Sequence, residues 1–307
     1  MPDLPAKVKN SLDEVRILVL GSQVLLGFQY RAFFEQGFER LPAADRACEI
    51  GGLAALLLTL GLLFLPAARH RIVERGHDTE RFHHFVMTVM RAALLPFGIS
   101  LALDVGVAGD RILGPAGGAA AAAATLVAAL AFWYGHFAHR SHKPHREPEE
   151  KMEKTPLQHR IVQVLTESRV VIPGAQALLG FQLAMVLMNT FETLPGWVRV
   201  VHFISLAFIA LATIVLMAPA AYHRIVEQGE DTERFCTFAS RMVLLALALL
   251  GPGFSLDLFV VLYRAGFPSA AVVASALALL SFYFGWFGAM LIVRARLNAR
   301  PRSATTS

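Results

Sequence analysis

The side chains best suited to chemistry in this chain come in one block used twice. His70, Arg71, Glu74, Asp78 and Arg81 fall within His70–Phe82. His223, Arg224, Glu227, Asp231 and Arg234 repeat the same spacing 153 positions later, and eleven of the thirteen residues in the two blocks are identical. Imidazoles that titrate near neutral pH, set among guanidiniums and carboxylates, suit a pH-responsive gate or a ligand site. The same residues also suit a plainer task. Pro66 and Pro219 precede the block, Gly76 and Gly229 favour a helix break, and Asp78 and Asp231 can N-cap the helix that follows. Cations near a helix C-terminus stabilise its negative end, and Arg71, Glu74, Glu80 and Arg81 can pair locally. The block reads either as a duplicated turn between helices or as a gate whose His70–Arg71 and His223–Arg224 pairs face one vestibule.

A second set of polar residues lies inside apolar runs: Gln23, Gln29, Arg91, Gln176, Gln182 and Arg241. At about 100° per residue, Arg16, Gln23 and Gly27 share one helical stripe, as do Arg169, Gln176 and Gly180. An amide in hydrocarbon needs a partner, so these glutamines face protein or water. They serve as glue between helices or as a polar path between the halves. Arg91 and Arg241 are the deepest charges, and an intramembrane charge marks function or snorkels to the interface. Asp104 and Asp257 fall too far along the same helices to pair with them and are expected at the outer interface.

The elements that must position these residues are long apolar helices. The chain has 307 residues, 55% hydrophobic and only 17% charged, where a soluble domain is about a quarter charged. Apolar runs of about 20 residues recur, enough to cross about 30 Å of hydrocarbon. The first half offers spans near 17–34, 47–66, 82–107 and 119–137; the second near 170–188, 198–219, 238–262 and 269–293. The two halves match at a constant offset without a gap: Glu14 and Arg16 with Glu167 and Arg169, Gln29 with Gln182, Asp104 with Asp257, Trp133 with Trp286. The expected fold is all-α: a polytopic membrane bundle of eight transmembrane helices in two parallel four-helix repeats related by a pseudo-twofold. Residues 1–138 form the first repeat, 139–164 a charged, proline-bearing linker, 165–296 the second repeat and 297–307 a disordered tail. With the N-terminus inside, the inner-face segments hold twenty Lys and Arg against six on the other face, which predicts cytoplasmic N- and C-termini.

The net charge of +5 does not indicate nucleic acid, because the basic residues flank apolar runs instead of forming a basic face. Cys48 and Cys236 fall at opposite membrane faces in this topology, which precludes a bond between them. No P-loop, GxSxG, HExxH, EF-hand or dinucleotide motif occurs, and no enzyme activity or cofactor is expected. His136, His139, His142 and His145 are spaced by three, but Pro144 interrupts the stripe; His202 is the one histidine suited to intramembrane haem ligation.

The segments Glu167-Ser168-Arg169, Pro173-Gly174-Ala175-Gln176-Ala177-Leu178-Leu179-Gly180-Phe181, Ala218-Pro219-Ala220-Ala221-Tyr222-His223-Arg224 and Ser240-Arg241 resemble a family of small bacterial four-helix membrane proteins of unknown function. The first half departs from it at Ala67-Ala68-Arg69 and at Thr88, where the second has Arg241. The resemblance implies an integral membrane protein and a fused pair of a module able to self-associate. The expected partners are the lipid bilayer and further copies of the chain. The functions that follow are a channel or transporter-like protein for an ion or small solute, a non-catalytic structural or regulatory membrane module, or a metal- or haem-binding membrane protein.

Overall fold

A computed structural model describes residues 4–134, 155–228 and 230–299, and among them every regular element is helical. In chain order these are α1 (Leu4–Ala32), α2 (Ala43–Leu63), α3 (Leu65–Ile72), α4 (Glu80–Leu113), α5 (Pro115–Tyr134), α6 (Leu157–Val186), α7 (Asn189–Glu192), α8 (Gly196–Ile225), α9 (Glu233–Arg264), α10 (Pro268–Tyr283) and α11 (Ala289–Ala299). A π-helical stretch, Phe284–Gly288, joins the last two. Among the described residues, seven helices are long and apolar enough to cross a membrane: α2 with α3, α4, α5, α6, α8, α9, and α10 with α11. The 29-residue α1 is less apolar than these.

Helix bounds depart from the sequence reading in three places. α1 already runs from Leu4, so most of the polar N-terminus extends the first helix. α6 begins at Leu157, inside the stretch expected as linker, and α11 carries 297–299 into helix. Thr79 and Thr232, not Asp78 and Asp231, cap α4 and α9: each hydroxyl accepts from the backbone N–H three residues on, at 3.0 Å. Gly76 at φ 81° makes the turn before α4, a backbone region favourable to glycine. His136, His139, His142, His145 and Gly229 lie outside the described residues.

α1 packs beside α6 at the centre. In the first half α4 bridges α2 and α5, and in the second α9 bridges α8 and α10. α1 and α6 run parallel: Arg16 meets Gln163, Gln23 meets Gly174, and Phe28 packs on Phe181 with ring centres 4.4 Å apart. A twofold would pair each face with itself. Apart from the equivalent pair Phe28 and Phe181, the faces differ: α1 presents Arg16, Gln23 and Gly27, whereas α6 presents Glu167 and Gly174. The contacts are therefore head-to-tail. A Cβ on Gly27 would sit 2.1 Å from Phe181, while Gly180, its equivalent, has nothing within 4 Å.

The junction is tied from end to end. Phe64 packs against Phe254 and Trp286, with ring centres 6.4 and 5.5 Å apart. The Trp286 indole donates to the Gly61 carbonyl at 2.8 Å, and the Tyr30 hydroxyl to the Phe254 carbonyl at 3.2 Å. Arg264 reaches Glu39 at 2.6 Å, and the Thr190 hydroxyl donates to the Phe34 carbonyl. Tyr30, Phe33, Phe34, Phe64, Phe254 and Trp286 are fully buried here.

Candidate functional site: a bridged hairpin and two interhelical polar centres

The first copy of the duplicated block, between α3 and α4, is buried by the second half of the chain. The Arg71 guanidinium donates from Nε to Glu167 Oε2 at 3.1 Å and also from Nη2, and its Nη1 lies 3.5 Å from the Ser240 hydroxyl. Arg16 joins this layer, donating to the Gln163 carbonyl at 3.1 Å while pairing with Asp13. His70, with no exposed surface, stacks on Phe82 at 4.7 Å between ring centres. Its Nε2 is 3.7 Å from Asp78 Oδ1.

Asp78 does not cap α4 but ties the hairpin to the second half. It accepts from the Gln163 amide at 3.0 Å, and its backbone N–H donates to the Thr155 hydroxyl at 2.8 Å. Glu74 holds Arg69 at 3.2 Å, and Arg69 also lies 4.3 Å over the Phe85 ring. Arg81 is exposed. Arg160 clamps the two hairpins, bonding Glu233 at 2.9 Å and the Arg75 carbonyl at 3.2 Å. His77 sits under this clamp, where burial, then the positive charges of Arg160 and His70, lower its pKa below the ordinary histidine value.

The second copy is open. His223 keeps a similar ring contact with Phe235 at 4.7 Å and approaches Asp231 at 3.6 Å. Arg224 and Arg234 are exposed, and Glu227 is half-buried. Beside it lies an open recess of about 500 Å³ lined by Tyr222, Glu233, Arg234, Thr237, Phe238 and Arg241. The two histidine–arginine pairs therefore do not face one vestibule: one pair is sealed in the junction and the other is on the surface. The reason is the head-to-tail packing, which covers only one of two equivalent faces.

Deeper in the bundle, each half contains a polar centre. The Gln29 amide donates to Ser100 at 2.9 Å and to Asp104 at 2.8 Å. The Gln182 amide donates to Ser205 at 3.0 Å and to Asp257 at 2.6 Å, and the Ser205 hydroxyl donates to Asp257 at 2.7 Å. His202 Nε2 lies 3.1 Å from the Gln182 carbonyl, and its Nδ1 is 3.9 Å from Asp257. Asp257 is 2% exposed, enclosed by Gln182 of α6 and Ser205 of α8. The serine has changed helices between the halves: Ser100 aligns with Gly253, and Ser205 with Gly52. Serine and histidine partners could not be picked out from the sequence. The shared Gln-to-Asp separation of 75 residues in both halves was the signal available.

The remaining candidates are scattered. Gln23 is fully buried at the junction against Gly174, with neither amide atom hydrogen-bonded. Gln176, its equivalent, is exposed. Arg91 is half-buried and its carbonyl accepts from the Tyr134 hydroxyl; Arg241 is exposed at the recess. Among the described residues, no three His, Cys, Asp or Glu side chains converge as metal ligands would.

Among the described residues the chain is all-helical, with seven helices of the length and hydropathy of membrane spans. The chain belongs to a family of unknown function (DUF6328), whose profile matches it twice, over residues 6–136 and 149–290. No curated protein matches it, and no solved structure matches it.

Proposed function

We propose that the protein is a non-catalytic structural module of the bacterial inner membrane, with eight spans, cytoplasmic termini and two fused repeats. One observation carries this reading: the junction between the halves is sealed and tied at several levels. The cavity found there is about 20 Å³, lined by apolar side chains such as Phe64, Val171 and Leu247 with Glu167 at its edge. That is about the space of one water. A carrier that rocks one half against the other would have to break the buried Arg71–Glu167 pair and the Trp286–Gly61 bond in each cycle. The test is reconstitution into liposomes with a pH gradient and a potassium gradient. Dissipation no faster than in empty vesicles supports the module; protein-dependent flux overturns it.

A second reading, ion or small-solute transport through a single half, is favoured by the Asp257–His202 pair. A buried carboxylate 3.9 Å from an imidazole is an arrangement found in intramembrane proton relays. It requires that Asp257→Asn abolish any flux observed in the same vesicles.

A further inference from the structure

The head-to-tail junction leaves its two complementary faces open at the far sides of the molecule. Arg16, Gln23 and Tyr30 of α1, and Phe34 just beyond it, are buried against the second half. Their equivalents Arg169, Gln176 and Leu183 of α6, and Leu187 just beyond it, are exposed, Leu187 at 86%. Conversely, Glu167 and Gly174 of α6 are buried, whereas Glu14 and Gly21 of α1 are exposed, and Gly21 has nothing within 4 Å.

We propose that these faces meet in a second copy of this chain, the second half of one molecule receiving the first half of the next through the contact already made within the chain. The inference extends the structural-module reading, and it stands on complementarity that lipid does not require. The charged and amide ties of the junction have counterparts split between the open faces, whereas the Tyr30 and Thr190 hydroxyls do not, since Leu183 and Gly37 stand at those positions. Arg71–Glu167 corresponds to Arg224 with Glu14, and Arg264–Glu39 to Arg111 with Glu192; all four counterparts are exposed. Gln163, which donates to Asp78, corresponds to the exposed Asn10, an amide that can serve Asp231.

Volume is also matched. Phe282 fits over Gly61, where a Cβ would be 2.9 Å from the ring. At the open faces the bulk has changed sides, to Ile214 opposite Ala129. Trp133 stands where Trp286 does.

The exposed polar atoms favour protein over lipid as the occupant. Gln176 lies six residues into the span expected at 170–188, about 9 Å along it, where an exposed amide has no partner among acyl chains. Gln23, its equivalent, packs against Gly174; Gly21 of the next copy would pack on Gln176 in the same way. A contact of this kind is heterologous, so successive chains add with one sense of rotation and close into a ring when that rotation divides a full turn.

The test uses the full chain with Cys48 and Cys236 replaced by Ala. Arg111→Cys and Glu192→Cys variants are made separately, co-expressed, and treated in membranes with a short bis-maleimide. The expected result is a cross-linked dimer from the mixture and none from either variant alone. A chain carrying both Glu39→Cys and Arg264→Cys, which must link internally, reports that the chemistry works. No intermolecular product from the mixture while the internal link forms means that lipid covers the faces, and the proposal is wrong. Products from a single variant alone mean an isologous dimer, which also overturns it. Glu14→Arg should abolish the mixed product and Arg224→Glu in the same chain should restore it. Liposome flux separates failure of this assembly from failure of the structural-module reading, since a flux-active protein with the mixed cross-link overturns only the latter.

Discussion

Arg71 of the first half and Glu167 of the second, 96 positions apart, form a buried ion pair whose Nε–Oε2 distance is 3.1 Å. The two residues have 1% and 5% of their side chains exposed, so neither charge has water to fall back on. Removing one partner leaves the other uncompensated. Glu167→Gln or Arg71→Met is expected to cost about 3–5 kcal/mol, seen as a lower thermal midpoint in detergent. The double replacement Arg71→Met with Glu167→Leu should recover most of that loss. The corresponding change at the open hairpin, Arg224→Met, should leave the midpoint of the isolated chain within about 0.5 kcal/mol of wild type.

Gln182→Leu removes a donor from Asp257 but leaves the carboxylate buried with Ser205. Its expected cost is about 1–3 kcal/mol, because a buried acceptor loses its partner. Asp257→Leu with Gln182→Leu should be the milder change of the two. An outcome in which the single substitution is neutral would argue that water enters this centre.

Thr79→Ala and Thr232→Ala each delete one hydroxyl that caps a helix of more than thirty residues. About 1 kcal/mol per cap is expected from chemical denaturation. Asp231→Asn at the open hairpin, where the carboxylate is no cap, should cost less than Thr232→Ala.

A pH effect follows from His77. Burial and the neighbouring cations lower its pKa in the folded protein, while the unfolded chain keeps the ordinary value of about 6.5. As pH falls below that value the unfolded state takes up the proton first, so stability is full above it and declines through the window down to the lowered folded value. Thermal midpoints measured from pH 8 to 5 should drop less in His77→Gln than in wild type. Equal slopes would assign the decline to other groups.

Gly27→Leu should disrupt the α1–α6 contact, since its Cβ would lie 2.1 Å from the Phe181 ring. A loss of about 1–3 kcal/mol is expected from overpacking. Gly180→Leu meets open space in a single chain and should be neutral in dilute detergent.

Much of this architecture is legible in the sequence because periodicity and duplication are global signals. The apolar runs, the turn at Gly76 and the stripe of Arg16, Gln23 and Gly27 all follow from local spacing. What the sequence hides is which of two equivalent faces is used. Arg71 and Arg224 sit in identical local text, yet one is sealed and the other is open, because burial depends on the rotation between halves and no local rule encodes that. The capping roles of Thr79 and Thr232 were masked by an aspartate one position earlier with nearly the same propensity. The enclosure of Asp257 was not legible, because its partners Gln182 and Ser205 lie on other helices and their convergence is a tertiary fact.

The exchanged serine carries a historical consequence. Ser100 supplies the hydroxyl from α4 in one half, and Ser205 supplies it from α8 in the other, with glycine at each vacated position. The halves have thus drifted into two mutually exclusive solutions of one problem. A chimera joining α2 to α9 would contain no hydroxyl, and one joining α8 to α4 would crowd two into the space of one. Each half has become a private lineage whose helices are no longer spare parts for the other.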